Sequence, residues 1–280
     1  MLLETGQRVP TGMQARFAAC LAVLLPAICV EAAETDFHET VVIGAGPAGV
    51  QLGYFLEKAG RDYTVLERNT VPGSFYLNNP RHRQLISINK FNTGSGNPEF
   101  NLRHDWNSLL DDNQGFTFPQ KYSSDFFPNA DTLVEYLADY TEHYKIKVEY
   151  NTDVTLVEKD ASGEGYLLTT KVGNGTAVVS SRRCKYLVIA TGIAVSRIPE
   201  FRGMELTTPY NDMSVNPDDY RNASVLILGR GNAAFETADN LTSVASHLHM
   251  VGRSKQRFAW QTHYVKAPAP MGYYLQICFR

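Results

Sequence analysis

The stretch from Thr40 to Arg68 constrains the fold more than any other, because apolar residues, glycines and an acid follow one another in a fixed order. A short apolar run, Val41–Ile43, has the composition of a buried parallel strand. The turn GAGPAG, Gly44–Gly49, follows at once. Its first glycine permits a tight turn, its second a close approach of the backbone to a ligand, and its third close packing of a helix. The pattern predicts a strand, a phosphate-binding turn and a helix.

The helix after this turn is expected to end at Gly60, and a second strand, Tyr63–Leu66, leads to Glu67. A carboxylate there can accept hydrogen bonds from the ribose hydroxyls of an adenosine. A pyrophosphate is favoured at the N-terminus of the helix, where N–H groups are unpaired. The stretch therefore predicts a dinucleotide site. The apolar face of the helix is expected to comprise Ala48, Leu52, Phe55, Leu56 and Ala59.

Length, net charge and cysteine spacing exclude several kinds of protein. The 280 residues can form one or two domains, and the formal net charge of -3 argues against a nucleic-acid surface, which is normally basic. No CxxC pair occurs, so the chain lacks the dithiol of a thioredoxin-reductase type of flavoenzyme. We expect no metal site. The four cysteines are Cys20, Cys29, Cys184 and Cys278.

Residues 1–32 have the pattern of a secretory signal peptide. A positive start at Arg16 precedes the apolar run Phe17–Val30, which is shorter than the ~20 residues that span a bilayer. Cleavage after Ala32 would leave no membrane span and place the chain in the oxidising secretory pathway, whereas an uncleaved anchor is the alternative. Three glycosylation sequons fit that compartment, at Asn174, Asn222 and Asn240.

The middle of the chain predicts a long loop, one helix and a set of strands. For the irregular, aromatic-rich Asn69–Phe127 we expect either a cap over a bound cofactor or a solvated basic loop. Asp131–Tyr144 has a helical stripe, and Lys147–Arg183 predicts a strand meander with glycine turns. Tyr186–Ala190 predicts a further buried strand that ends at Thr191-Gly192. This order is expected of the remainder of an FAD-binding half.

A second, weaker copy of the opening pattern begins at Ser224. The strand leads into the turn GRGNAA, in which Ala234 stands in the third glycine's place. Glu67 lies 23 residues after Gly44, and Gly252 lies 23 after Gly229. Arginine and serine follow Gly252 and suit a 2′-phosphate, which predicts NADPH rather than NADH, with a surface basic cluster as the alternative. The residues expected to hold NADPH are Gly229, Gly231, Asn232, Ala233, Arg253 and Ser254.

Two dinucleotide units separated by a meander and Ala-Thr-Gly resemble the two-dinucleotide-binding-domain flavoproteins, near the flavin monooxygenases. The chain resembles more closely one subgroup, the endoplasmic-reticulum flavoproteins associated with degradation, which have an FAD-dependent oxidoreductase domain. This resemblance runs from about Glu39 to Val265. It rests on the segments PRHRQLISINK, EFNLRHDWNSLL, LILGRGNAAFETADN and WQTHYV.

The resemblance implies an α/β fold, with a Rossmann-type FAD domain and β-meander at 39–200 and a partial NADP-binding domain at 201–265. It also implies a flavoprotein of the endoplasmic-reticulum lumen that acts in the disposal of misfolded proteins. Such a protein would bind misfolded clients and degradation or redox-chaperone components, and would pass electrons to a redox partner. The residues implied at FAD are Gly44, Ala45, Gly46, Pro47, Ala48, Gly49, Glu67, Arg68, Val154, Thr191 and Gly192.

Two departures from the family leave the activity open, and no catalytic residue is assigned. Flavin monooxygenases carry F-x-G-x-x-x-H-x-x-x-Y between the units, but here Thr207 and Asn211 replace the histidine and tyrosine. Members of the subgroup are much longer, and residues 266–280 resemble no part of them. We therefore expect a C-terminally truncated form that lacks the returning segment of the FAD domain and holds flavin weakly. The alternatives are an oxidoreductase, a binding protein with structural FAD and a monooxygenase.

Processing of the chain tests the secretory prediction. We expect the mature N-terminus near Ala32 and a glycan on at least one of the three sequons. An endoglycosidase should increase gel mobility, and a variant with all three sequon asparagines changed to glutamine should show no such shift. An intact N-terminus by mass spectrometry, together with unchanged mobility, would indicate a cytosolic protein instead.

Overall fold

The computed structural model describes residues 36–86, 94–112, 115–173, 178–193 and 198–253. The predicted signal peptide, Asn174, Ser254 and the tail 266–280 lie outside these residues. The strands are β1 (Asp36–Ile43), β2 (Tyr63–Leu66), β3 (Val148–Glu149), β4 (Thr152–Lys159), β5 (Tyr166–Val172), β6 (Val178–Ile189), β7 (Ser224–Leu228) and β8 (His247–Val251). The helices are α1 (Pro47–Lys58), α2 (Pro98–Leu102), α3 (Phe118–Lys121), α4 (Ala130–His143) and α5 (Asn232–Leu241). The predicted α/β class is confirmed.

Strand β1 lies inside a six-stranded sheet with the order β3-β2-β1-β6-β5-β4. It runs parallel to β2 and to β6, so that Val41 has Thr64 on one side and Leu187 on the other. Strands β4, β5 and β6 form the predicted antiparallel meander, whereas β3 instead pairs in parallel with β2. The carboxyl ends of the parallel strands therefore meet at one edge, where ligands bind in sheets of this kind.

The prediction of a separate buried strand at Tyr186–Ala190 is wrong. β6 is one strand of 12 residues, whose first part pairs with β5 and whose second part pairs with β1. Leu187 and Val188 pack against the core on the two sides of the sheet. The side chains of Tyr186 and Ile189 are 51% and 69% exposed, because no element among the described residues covers them.

Helix α1 packs on the sheet through a different face from the predicted one. Close approach explains the difference: a Cβ on Gly53 would lie 2.5 Å from Ile146 Cγ2, and one on Gly49 would overlap the Gly44 carbonyl oxygen. Leu52 and Leu56 of the predicted face are partly buried against the core. Ala48, Phe55 and Ala59 are exposed, and the buried residues are Gly49, Val50, Gly53 and Tyr54.

The long segment Asn69–Phe127 is not a solvated loop where the structure describes it. It contains a short 3-10 helix at Ser74–Leu77 and helices α2 and α3, and Gly73 N–H donates to the carbonyl of Ala45 at 2.8 Å. Its apolar side chains pack against α4, whose predicted stripe is confirmed. The buried residues of this contact are Leu85, Leu109, Phe116, Phe118, Leu133, Tyr136, Leu137 and Tyr140.

The second unit has the predicted order of strand, helix and strand. β7 and β8 are parallel, with Ser224 opposite His247, and α5 packs on them through Ala238 and Leu241. The other face of this two-stranded sheet is open among the described residues, where Leu226, Leu228 and Val251 are exposed. None of the described helices combines the length and apolar character needed to cross a membrane.

Removal of one buried hydroxyl tests how the long segment is held. Tyr136 is fully buried, accepts the N–H of Leu109 at 2.7 Å and donates to the carbonyl of Phe116 at 3.2 Å. Tyr136→Phe leaves both backbone groups unpaired, so the free energy of unfolding should fall by about 1–3 kcal/mol in urea denaturation. In Tyr166→Phe the lost hydroxyl has no hydrogen bond within the described residues, and we expect a change below about 0.5 kcal/mol. Equal effects would contradict this role of Tyr136.

Candidate functional site

The first glycine turn lies at the carboxyl edge of the parallel strands. Gly44 N–H donates to Leu66 O at 2.8 Å, and Ala190 N–H donates to Ile43 O at 2.8 Å. Gly44 has a φ of +102°, and a Cβ there would lie 2.6 Å from Ala190 O, so only glycine fits. The turn, the end of β2 and the segment after β6 are thus brought together.

The N-terminus of α1 is open to an anion. Gly46 is the N-cap residue, Pro47 begins the helix, and no side chain caps its amide groups. A Cβ on Gly46 would have no atom of the described chain within 4 Å. Unpaired N–H groups and the positive end of the helix dipole favour a negative group beside such a turn.

Glu67 fixes the turn from the end of β2. Its side chain is buried, and Oε2 accepts the N–H of Ala45 at 2.9 Å. Oε1 accepts the backbone N–H and the Nδ2 of Asn69, each at 3.0 Å, and the hydroxyl of Ser74 at 3.2 Å. A carboxylate oxygen has more than one lone pair, so Oε2 retains the capacity to accept from a ligand. Its contact with a ribose stays a prediction.

The other residues predicted at FAD differ in their exposure to solvent. Thr191 and Gly192 are exposed at the strand edge beside Gly44, and Arg68 is exposed after Glu67. Val154 packs in the second core cluster, with Val41 and Leu66. It follows Thr152, whose N–H donates to the Glu67 carbonyl at 2.9 Å. The side chain of Val154 thus packs in the core, and its contact with FAD stays a prediction.

The second turn repeats this geometry. Gly229 N–H donates to Val251 O at 2.8 Å, and α5 begins at Asn232 after the N-cap Gly231, with no side-chain cap. Asn232 and Ala233 form the first turn of α5. Arg253 is exposed beyond β8. Arg230 extends across the turn, and its Nη2 donates to the carbonyl of Gly252 at 3.1 Å.

A polar cluster joins the segment after β2 to the second unit. Arg81 N–H donates to the Tyr210 hydroxyl at 3.1 Å, and Arg81 Nη2 donates to Met213 O at 2.5 Å. His82 Nε2 lies 3.1 Å from Thr237 Oγ1. Arg81 and His82 are visible in the sequence as part of a basic run, but these partners lie more than a hundred residues away and no spacing indicates them.

Glu236, next to Thr237 on α5, belongs to the same cluster. Its Oε2 and the Nε of Arg81 are buried atoms without a hydrogen-bond partner among the described residues. Burial raises the pKa of Glu236, and burial together with the charge of Arg81 lowers the pKa of His82. Buried polar atoms are nearly always paired in native proteins, so each of these two atoms is an unusual feature of the cluster.

Two further groups have structural roles. Asp36, His38 and Glu149 lie close enough to hold a metal ion, but Arg182 Nη1 already donates to Asp36 at 2.9 Å and to Glu149 at 2.7 Å. This group is therefore an ion-pair network.

Cys184 is the one cysteine within the described ranges. It is buried, and burial raises the pKa of its thiol, which makes it a poor nucleophile.

The two sequon asparagines that the structure describes differ in exposure. Asn222 is exposed, in a left-handed conformation before β7. Asn240 is half-buried on α5, and its Nδ2, the atom that would carry a glycan, donates to Val215 O at 3.1 Å. Asn222 therefore offers the more accessible of these two amides.

The sequence model of one family, the pyridine nucleotide-disulphide oxidoreductases, matches residues 41–271. The chain belongs to this family. It is 44% identical over 261 residues to FAD-dependent oxidoreductase domain-containing protein 2 of Mus musculus, covering 91% of this chain and 37% of the relative. The protein of the same name from Danio rerio is 47% identical over 230 residues, with 81% and 32% covered. The chain thus spans about a third of the length of these relatives, and the resemblance inferred from its motifs is confirmed.

Solved structures show the same fold. A flavin-containing monooxygenase from Stenotrophomonas maltophilia superposes with a TM-score of 0.60 at 23% identity, covering 79% of this chain and 59% of that one. The bacillithiol disulfide reductase of Staphylococcus aureus superposes with a TM-score of 0.56 at 19% sequence identity, and the match covers the same shares of the two chains. OTEMO in complex with FAD and NADP superposes with a TM-score of 0.55 at 19% sequence identity, covering 80% of this chain and 40% of that one. Family and fold confirm the predicted class of cofactors, a flavin with a pyridine nucleotide.

The buried carboxyl of Glu236 predicts a pH dependence of stability. Because burial raises its folded pKa, the native state keeps a proton that the unfolded chain loses as the pH rises above the usual value of 4.5. Glu236 therefore contributes to stability at low pH, and this contribution is lost as the pH rises from 4.5 through the raised pKa of the folded state. Glu236→Gln cannot ionise, so its melting temperature should match the wild type at about pH 4 and exceed it at about pH 7.

The matched control is Glu142→Gln, which changes an exposed carboxyl on α4. Thermal unfolding of both variants across this pH range makes the comparison. A difference between Glu236→Gln and wild type that does not vary with pH would show that ionisation of Glu236 is not responsible.

Proposed function

We propose that this chain is the FAD-binding part, with a partial NADPH-binding unit, of a flavoprotein oxidoreductase that passes electrons from NADPH to a redox partner. The observation that carries the proposal is the first turn, where an uncapped helix N-terminus, the open side of Gly46 and the buried Glu67 face one edge of the sheet. Bound there, FAD would supply the two-electron chemistry of hydride acceptance. The chain's own residues bind and orient it.

Each of these residues has a physical role towards the ADP half of FAD. The amide groups at the start of α1 would donate to the pyrophosphate, which can approach because Gly46 has no side chain. Glu67 is already oriented by Ala45 and Asn69, so little ordering remains to be done when its Oε2 accepts from a ribose hydroxyl. Thr191 and Gly192 would close the site from the end of β6.

The second turn supports a site for the pyridine nucleotide. Its helix N-terminus is uncapped like the first, and Gly229 has a φ of +142°, open to glycine alone. One turn into α5, the unpaired Oε2 of Glu236 and Nε of Arg81 offer an acceptor and a donor to a polar group.

The acceptor of the electrons is best sought outside the described chain. The sequence has no CxxC, and Cys184 is buried, so no exposed dithiol is available within the described residues. Thr207 and Asn211 stand where flavin monooxygenases have histidine and tyrosine, which disfavours oxygenation of a small molecule. These observations support transfer to a redox partner.

The same observations support a second candidate, a binding protein in which FAD is structural. Oxidation of NADPH by the purified protein separates the two, because only the oxidoreductase turns NADPH over in the presence of an acceptor. No turnover with quinone, ferricyanide or disulfide acceptors, despite bound flavin, would exclude the oxidoreductase and favour the binding protein.

The proposed setting is the lumen of the endoplasmic reticulum, in the degradation of misfolded proteins, with misfolded glycoproteins and redox chaperones as partners. The signal-peptide pattern of residues 1–32 and the exposed sequon at Asn222 support the compartment. The motif resemblance supports the pathway. Co-purification from a lumenal fraction after crosslinking tests it, and recovery of the protein in the cytosol would contradict it.

Substitution of Gly46 tests the cofactor site separately from folding. Gly46→Val adds its side chain to open space, and the backbone conformation at Gly46 is accessible to any residue, so the melting temperature without flavin should be nearly unchanged. The side chain would occupy the place of the pyrophosphate, and binding should fall below detection in titrations with FAD and with ADP.

Gly96→Val is the matched control, because Gly96 is exposed and a Cβ there also meets open space. It should bind FAD and ADP as the wild type does. Retention of flavin absorbance by Gly46→Val would refute the site. A large loss of thermal stability in that variant alone would assign Gly46 to folding instead.

A further inference from the structure

Arg230 lies where the second unit lacks the acid of the first. The equal spacing of 23 residues makes Gly252 the counterpart of Glu67, and the turn residue Arg230 the counterpart of Ala45. In the first unit the side chain at the end of the strand reaches back to the turn, from Glu67 Oε2 to Ala45 N–H. In the second unit the contact runs the other way, because the side chain of the turn residue Arg230 reaches to the backbone of Gly252 at the end of the strand.

The reversed contact is tight. Arg230 Nη2 donates to Gly252 O at 3.1 Å, and Arg230 Cζ lies 3.2 Å from the position of a Cβ on Gly252. A Cβ at that position would also overlap Arg230 Nε, so the guanidinium takes the space of a side chain at 252. A carboxylate and a guanidinium therefore occupy corresponding places in the two units.

We propose that Arg230 is the residue that selects NADPH over NADH, by placing its guanidinium against the 2′-phosphate of the adenosine ribose; this rests on the proposed nucleotide site. A carboxylate in this place accepts from ribose hydroxyls and repels a phosphate, whereas a guanidinium donates to phosphate in a fork. The bond to Gly252 is the one hydrogen bond of this side chain within the described residues. Among the described residues, its other N–H groups have no partner that would compete with a ligand.

Arg230 is better placed for this role than Arg253, which the sequence pattern indicated. Arg253 is exposed beyond the strand, and its side chain has no bond to the described residues that would orient it. Arg230 is half-buried and held by Gly252, so less side-chain entropy is lost when it binds a phosphate.

Dissociation constants of NADPH and NADH for the purified chain, measured by titration, test the proposal. We expect Arg230→Ala to weaken NADPH about 10- to 100-fold and NADH less than about 2-fold. Arg230→Lys keeps the charge and loses the fork, so it should fall between wild type and Arg230→Ala. Gly252→Glu should displace the guanidinium, restore the pattern of the first unit and favour NADH.

Arg61→Ala, which removes an exposed arginine before β2, is the matched control and should change the ratio of the two constants less than about 2-fold. Arg253→Ala tests the residue that the sequence pattern indicated, and it should change the ratio less than Arg230→Ala does. A loss of selectivity in Arg253→Ala but not in Arg230→Ala would overturn the proposal, as would an equal loss of both nucleotides in Arg230→Ala. Competition of NADPH by 2′-AMP and 5′-AMP on the wild type needs no variant, and equal potency of the two would also overturn it. A wild-type chain that binds both nucleotides equally overturns only this inference, whereas one that binds neither overturns the nucleotide site as well.

Discussion

The carboxylate of Glu67 holds the first turn, and much of the candidate site depends on it. A buried carboxylate costs several kcal/mol unless hydrogen bonds satisfy its oxygens. Here Ala45 satisfies one oxygen, and Asn69 and Ser74 satisfy the other. The bonds tie the glycine turn to the start of the long segment that follows β2, so the two must be in place together. The residue expected at the ribose is thus also the one that orders the site before any ligand arrives.

The turns could be predicted from sequence because their requirements are local. The φ of +102° at Gly44 and of +142° at Gly229 is open to glycine alone, whatever the rest of the chain does. The face of α1 could not be predicted in the same way. Periodicity counts apolar side chains, but α1 meets the sheet through Gly49 and Gly53, where the absence of a side chain permits contact. The apolar stripe of α1 therefore predicted a face whose residues are in fact partly or fully exposed to solvent.

Contacts between distant segments had no signal in the sequence. Arg81 and Tyr210 meet across 129 residues, and neither lies in a repeating pattern. The unpaired atoms of Arg81 and Glu236 are visible only when the segment after β2 and helix α5 are seen together. The long β6 is a related case, because its first residues pair only with β5 and its last only with β1, and no turn residue separates them. What the sequence specifies is each dinucleotide unit; what the structure adds is how the units meet.

The two units share one backbone design, but a carboxylate in the first and a guanidinium in the second occupy corresponding places. With FAD at the first turn and NADPH at the second, as proposed, this difference would select the ligand of each. Near Glu67, a 2′-phosphate would bring a second negative charge against a buried carboxylate that has no cation among its hydrogen-bond partners. Near Arg230, whose side chain is only half-buried, a ribose without phosphate would forgo the charge-assisted bonds to the guanidinium. Under the proposed assignment the first turn would reject a 2′-phosphate and the second would attract one, so that specificity would combine repulsion with attraction. A chain with two similar turns side by side needs such a difference, because shape alone would let either nucleotide enter either site.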